Sequence, residues 1–301
     1  MQIAVIANPL AGRGRAAAAL TSLRKALGNH LVQLVTTSSS EQSTILARAA
    51  ARAGADTVVA VGGDGTVNAV SNGLAGTGCR LGVVPLGTAN DLASCFSIPL
   101  KIEAAAAVIL AAVVRPIDMI RVNGWHFLTC GGIGFPCEVI RLVERLRRGN
   151  PLLRTLCRRS GAAIYATAAA YRLLNGVVSS MQVCIETEKI NRNVAAHTVI
   201  IANQPRFGRR FCVAPGADNC DGQLDVCLFG DTKSKTNILQ NILGTIRGTH
   251  AKNPGVELFR ASRIAVHTEE ETTFFGDGEM QLRACSYYIE VVPRAINVIC
   301  P

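Results

Sequence analysis

The sequence predicts an α/β domain built on a parallel sheet, followed by a mostly antiparallel β domain. Three observations carry this. Over roughly the first 120 residues, short β-branched runs alternate with alanine-rich helical stretches. The glycine-rich turns of this half fall where those runs end. From about residue 117 the texture changes to paired strand-like runs joined by Asn-Gly, Asp-Gly and polar turns.

Taken in order, residues 2–7, 31–37, 56–61 and 81–84 are the expected strands of the first half, and 15–27, 42–53, 67–74 and 91–95 its expected helices. Such alternation gives βαβ units, with helices on both faces of a parallel sheet and ligands at the carboxyl ends of the strands. In the second half, 119–122 is expected to pair with 127–130, and 181–186 with 198–202. Runs at 224–229, 263–267, 272–275 and 287–292 supply further strands, interrupted by helical patterns at 138–147, 162–174 and 233–246. A length of 301 residues exceeds what one core usually organises. The expected domains are therefore 1–118 and 119–301, with the last strand allowed to pack back on the first domain.

Apolar residues make up 49% of the chain and charged ones 17%, which excludes a disordered protein. The longest apolar run, 104–114, has 11 residues, short of the roughly 20 a membrane-spanning helix needs. The opening Met1-Gln2-Ile3-Ala4-Val5-Ile6 reads as a first strand without a secretory leader, so a cytoplasmic location is expected. Eleven cysteines, with no C-x-x-C pair and no Cys/His cluster, read as reduced thiols.

Net charge is +10, which favours an anionic partner. Residues 141–159 hold seven arginines against Glu144 alone, and so supply six of those ten charges. Leu142, Leu146, Leu152, Leu153 and Leu156 alternate with them as in interfacial helices, so this segment is expected to meet an anionic membrane surface. Aromatic residues are only 5% and no nucleic-acid-binding module occurs, so nucleic acid is not expected as a partner.

Three loops carry the chemistry. After the first strand, Asn8-Pro9-Leu10-Ala11-Gly12-Arg13-Gly14 is a turn whose glycines let backbone amides approach a phosphate at a helix start. Gly12, Gly14 and Ala17 also fit a dinucleotide fingerprint, but the second strand ends in Thr36-Thr37-Ser38, without its ribose-binding carboxylate. After the third strand comes Gly62-Gly63-Asp64-Gly65-Thr66-Val67-Asn68, bulk-free backbone around one carboxylate able to orient a magnesium ion or its waters. The fourth strand delivers Pro85-Leu86-Gly87-Thr88-Ala89-Asn90-Asp91. Two polar loops at neighbouring strand ends mark a site.

This co-linear set resembles the bacterial diacylglycerol kinase, sphingosine kinase and ceramide kinase family of lipid kinases. The likeness continues through Gly132-Ile133-Gly134-Phe135, Asn203, Ala214-Pro215-Gly216-Ala217, Asp221-Gly222-Gln223-Leu224-Asp225 and Asp277-Gly278-Glu279. No Walker or protein-kinase motif is present. The resemblance implies a Rossmann-like domain and a β-sandwich with ATP between them and a lipid substrate. It implies that Asn8, Gly12, Thr37, residues 62–68 (Gly62, Gly63, Asp64, Gly65, Thr66 and Asn68 among them), Gly87 and Thr88 serve the nucleotide. It further implies Mg2+ at the Asp218–Gln223 turn, with the Asp221 side chain and the Asp218 and Gln223 backbone oxygens as ligands, and Glu279 as general base. The expected enzyme is an ATP-dependent lipid kinase, peripherally membrane-associated; homodimerisation is left open.

Four positions depart from the family pattern: Pro136 replaces an aspartate, the lysine expected before Tyr165 is absent from Gly161-Ala162-Ala163-Ile164, Thr129 replaces an asparagine, and Phe207-Gly208-Arg209-Arg210 replaces a glycine-rich run. All lie in the second half, so the acceptor side is expected to be altered while the ATP side is intact. The alternatives are a kinase of another alcohol acceptor, such as NAD, and a non-catalytic lipid-binding relative.

Overall fold

The computed structural model describes residues 1–149, 163–176, 178–232 and 234–301. The chain divides into two units, one formed by Met1–Met119 with Val292–Pro301 and the other by Ile120–Val291.

In the first unit, β1 (Ile3–Ala7), β2 (Leu31–Thr36), β3 (Thr57–Gly62) and β4 (Arg80–Pro85) lie in the order 2-1-3-4, and every pairing among them is parallel. β1 and β3 are buried along their whole length, which explains their unbroken apolar sequences. β2 sits at the edge and is only partly covered, hence Gln33 among its valines and leucines. Helices α1 (Ala16–Leu27), α2 (Ser40–Arg52), α3 (Asp64–Leu74), α4 (Asp91–Cys95) and α5 (Ile102–Ala111) complete the unit. Leu23 and Leu27 of α1 and Ile109 of α5 close over Ile3, Val5, Val59 and Val61. The alanine-rich run weighed above as a membrane span is thus a core-covering helix. The last strand returns here: Asn297 and Val298 pair in parallel with Arg80 and Leu81 of β4.

The second unit begins within β5 (Val114–Val122), which pairs with β6 (Trp125–Phe127), Ile120 lying against Phe127. It continues with β7 (Cys130–Gly134), α6 (Phe135–Arg148), α7 (Ala163–Asn175), β8 (Met181–Glu186) and β9 (Asn191–Ala202). A small hairpin, β10 (Arg206–Phe207) with β11 (Phe211–Cys212), precedes β12 (Leu224–Gly230), α8 (Lys235–Arg247), β13 (Val256–Ala261), β14 (Arg263–Gly276) and β15 (Glu279–Ile299). Pairings inside this unit are antiparallel, among them β12 with β9 and β13, and β14 with β8 and β15.

One expected pairing is corrected. Residues 181–186 pair with 191–196, not with 198–202, which instead lie between β7 and β12. A tight turn closes the nearer register first, and β9 is long enough to serve both partners. The core holds Phe127, Phe274 and Tyr287 with Ile201 and Val226. A second cluster packs α6 on α7 through Phe135, Val139, Val143, Ala168 and Ala169.

Of the arginine-rich segment, residues 150–162 lie outside the described residues, and with them Leu152, Leu153, Arg154, Leu156, Arg158, Arg159, Gly161 and Ala162. In the described part Arg141, Arg145 and Arg147 are exposed, whereas Leu142 packs into the α6–α7 cluster. Leu146 is intermediate in exposure. Among the described residues, no helix is long and apolar enough to cross a membrane, and Cys79, Cys137, Cys184, Cys212, Cys227 and Cys285 are free thiols. Burial pushes the thiols of Cys137 and Cys227 up to about 12, so both are inert.

Candidate functional site

In the first unit the predicted nucleotide residues converge at the carboxyl ends of β1 to β4. β3 ends at Gly62 and α3 starts at Asp64. Gly63, at the N-cap, has no side chain to offer the first-turn amides, which leaves that turn suited to an anion. The helix begins three residues earlier than its apolar pattern suggested, because Gly65 is a poor helix former that packing overrides.

Asp64 is the brace of this region. One carboxylate oxygen accepts the Asn90 amide at 2.9 Å and the other the Asp91 amide at 2.6 Å. Two charge-assisted bonds therefore tie the loop after β3 to the start of α4. Asn90 adopts a left-handed conformation (φ 50°) and accepts the Gly87 amide on its side-chain oxygen at 2.8 Å. The Leu86 amide also reaches the Gly62 carbonyl at 2.7 Å. The loops touch backbone to backbone: a Cβ on Gly87 would stand 2.5 Å from the Gly63 Cα. That contact is the physical reason both loops need glycine.

The loop after β1 joins them. The Asn8 amide donates to the Val61 carbonyl at 3.0 Å, and the Asn8 side chain accepts the Leu10 amide at 2.9 Å. Gly12, at φ +65°, lies against Leu86. Thr37 is buried; its hydroxyl donates to Gln42 at 2.6 Å and its amide to the Ala7 carbonyl at 2.9 Å. Thr66 and Asn68 are buried on α3, the Asn68 oxygen accepting from Asn72 at 3.0 Å, while Thr88 is exposed.

The predicted residues of the second unit form two groups. Glu279, exposed, opens β15 opposite Gly276 in the turn that closes the β14–β15 hairpin. Asp277 in that turn accepts the Leu128 amide at 3.0 Å and both the amide and the hydroxyl of Thr129, at 2.8 and 2.7 Å. Thr129, where the family pattern has asparagine, thus still supplies a donor. Asn203 supports the same loop by donating to the Leu128 carbonyl at 2.8 Å. Pro136 lies in the first turn of α6, a position proline tolerates without losing a hydrogen bond.

The second group is the turn before β12. Asp218 accepts the Cys220 amide at 3.1 Å and Asp221 the Gln223 amide at 3.0 Å. Arg260, which no motif flagged, faces Asp221 at 3.3 Å and Asp225 at 3.1 Å and also donates to the Gly216 carbonyl. Burial raises the Asp225 carboxyl and Arg260 partly offsets this. Among the described residues, no three His, Cys, Asp or Glu side chains cluster to hold a metal. The sequence signal for Arg260 was absent because its partners lie 35 or more positions away.

The chain matches the family model of the diacylglycerol kinase catalytic domain over residues 2–122 and that of the YegS C-terminal NAD kinase beta sandwich-like domain over residues 148–300. It is 30% identical over 314 residues to a diacylglycerol kinase of Mycobacterium tuberculosis, covering 100% of this chain and 95% of the relative. A Bacillus subtilis diacylglycerol kinase is 28% identical, covering 93% and 94%. A crystal structure of a diacylglycerol kinase from Bacillus anthracis str. Sterne has a TM-score of 0.72 at 22% identity, covering 100% of this chain and 97% of that one, a likeness of fold. The diacylglycerol kinase catalytic domain marks the chain as a kinase, and its sequence carries no Walker motif. More narrowly, the chain belongs to the diacylglycerol kinase family of lipid kinases.

Proposed function

We propose that this kinase transfers the γ-phosphate of ATP to a hydroxyl of a lipid of the diacylglycerol or sphingoid-base kind. The observation that carries the reading is the Asp64 brace, which holds two glycine loops and a helix start in one arrangement at adjacent strand ends. Phosphoryl transfer needs positioning and charge neutralisation above all, and a rigid cradle of amides supplies both.

In this reading residues 62–68, with Asn8, Gly12, Thr37, Gly87 and Thr88, contact the nucleotide, and Asp64 acts by holding the loops. Glu279 accepts the proton of the attacking hydroxyl. The Asp218–Gln223 turn offers the Asp221 carboxylate and the Asp218 and Gln223 backbone carbonyls, an oxygen-donor set of the type magnesium takes, and Arg260 shares the Asp221 carboxylate with any such ion. Bound there, magnesium would neutralise charge and order the turn.

A radiolabelled ATP assay with detergent-dispersed diacylglycerol, sphingosine and NAD as separate acceptors tests this. The wild type is expected to label a lipid. Glu279→Gln should lower turnover about 10²- to 10⁴-fold, and Asp64→Ala should abolish nucleotide binding. Equal incorporation by all three proteins sinks the reading, and labelling of NAD alone removes the lipid from it.

A further inference from the structure

Leu142 of α6 packs against protein, and α8 (Lys235–Arg247) carries a separate apolar stripe. Its inner face buries Ile238, Asn241, Gly244 and Thr245. Leu239, Leu243 and Ile246, spaced i, i+4 and i+7, form a second stripe that remains 44%, 43% and 39% exposed. Three large aliphatic side chains on one stripe are not forced outward by the core, which is already filled by the opposite face.

The chain segments that carry this stripe and lie beside it are basic, with the exposed Asp231 and Glu257 bordering them in sequence. Residues 232–256 contain no Asp or Glu, and neither do residues 204–217. Lys235, Arg247 and Lys252 are exposed along and just beyond α8. The β10–β11 hairpin adds the exposed Arg206, Arg209 and Arg210. It belongs to the same surface region, because Gly248 at the end of α8 lies against Cys212 of β11, where a Cβ would be 3.3 Å from the sulfur.

We propose that the α8 stripe with the arginine hairpin is the face by which this protein docks on an anionic lipid bilayer. The inference rests on the lipid-kinase reading, since a kinase of a lipid must take its substrate from a bilayer. Leucines enter the acyl boundary and the flanking cations meet acidic headgroups, the arrangement of an interfacial helix. A second copy of the chain is the poorer occupant. A twofold contact through this patch would set one predominantly basic rim against another, and like charges juxtaposed across an interface oppose association.

Sedimentation with vesicles of phosphatidylglycerol and phosphatidylcholine in equal parts tests the proposal. The wild type is expected to bind these and not pure phosphatidylcholine, and binding should weaken as salt rises. The triple variant Leu239→Ser, Leu243→Ser, Ile246→Ser should lose about 100-fold in partitioning, and Arg247→Ser with Lys252→Ser about 20-fold. The triple variant should keep its unfolding temperature and its phosphorylation of detergent-dispersed lipid. Unchanged vesicle binding by the triple variant overturns the proposal. So does a wild-type dimer in sedimentation equilibrium that the triple variant dissociates while vesicle binding persists. A wild type that binds vesicles but phosphorylates no dispersed lipid supports the docking face and sinks the kinase reading instead.

Discussion

The two units hold their candidate site residues by different means. In the first, the parts of the site are neighbours in sequence or lie on adjacent strands, and backbone carries most of the contacts: Gly63 against Gly87, and Asp64 on the amides of Asn90 and Asp91. In the second, side chains far apart in sequence hold the loops, Asp277 reaching Thr129 across 148 positions and Arg260 reaching Asp225 across 35. A site made of backbone tolerates few substitutions but is written in a short motif. A site made of side-chain struts admits exchanges that preserve a donor, as Thr129 does.

Three measurements would break or sharpen that contrast. The largest effect is expected from Gly87→Ala, whose new methyl would meet the Gly63 Cα at 2.5 Å and the Asn90 side-chain oxygen at 2.6 Å. We expect a loss of about 3 kcal/mol in urea unfolding, by the cost of overpacking, together with loss of ATP binding by calorimetry. An unaltered ATP affinity would mean the loops can separate, and the rigid-cradle account would fail.

Asp277→Ala comes next. It leaves the Leu128 and Thr129 amides and the Thr129 hydroxyl without their acceptor, at a cost of about 1–3 kcal/mol. Turnover should fall while ATP affinity is kept. A matched loss of ATP affinity would contradict the assignment of nucleotide binding to the first unit alone.

The smallest effect is a pH dependence confined to the second unit. His197 and His250 are buried against Phe229, and burial lowers both below the usual imidazole value. The unfolded chain therefore takes up protons first as pH falls below about 6.5, so stability is full above that value and declines beneath it. Hydrogen exchange should show the second unit opening earlier on acidification than the first, which has no buried histidine. Equal acid sensitivity in both units would contradict this.

The same contrast governs what could be read in advance. The strands and loops of the first unit were legible because periodicity, glycine spacing and a phosphate-cradling motif all pointed one way. Its boundary at Asp64 was missed because the helix runs through a glycine motif, and α5 was weighed only as a span because its alanines carry little face-to-face contrast. In the second unit strand positions were legible, but the register of β8 was not, since β9 offers two equally apolar halves. Arg260 and the acceptor role of Asp277 depend on long-range contacts that no local spacing encodes.

The return of Val292–Pro301 to the first unit also orders events on the ribosome. The strands β1 to β4 emerge early, yet the outer edge of β4 waits for Asn297 and Val298, which are synthesised after the whole of the second unit. Until then the nascent first unit carries an open strand edge, the kind of surface on which chaperones act and chains aggregate. The second unit, an insertion in the chain, can close before the first is complete. Translation therefore sets the moment at which the first unit acquires the strand that covers β4.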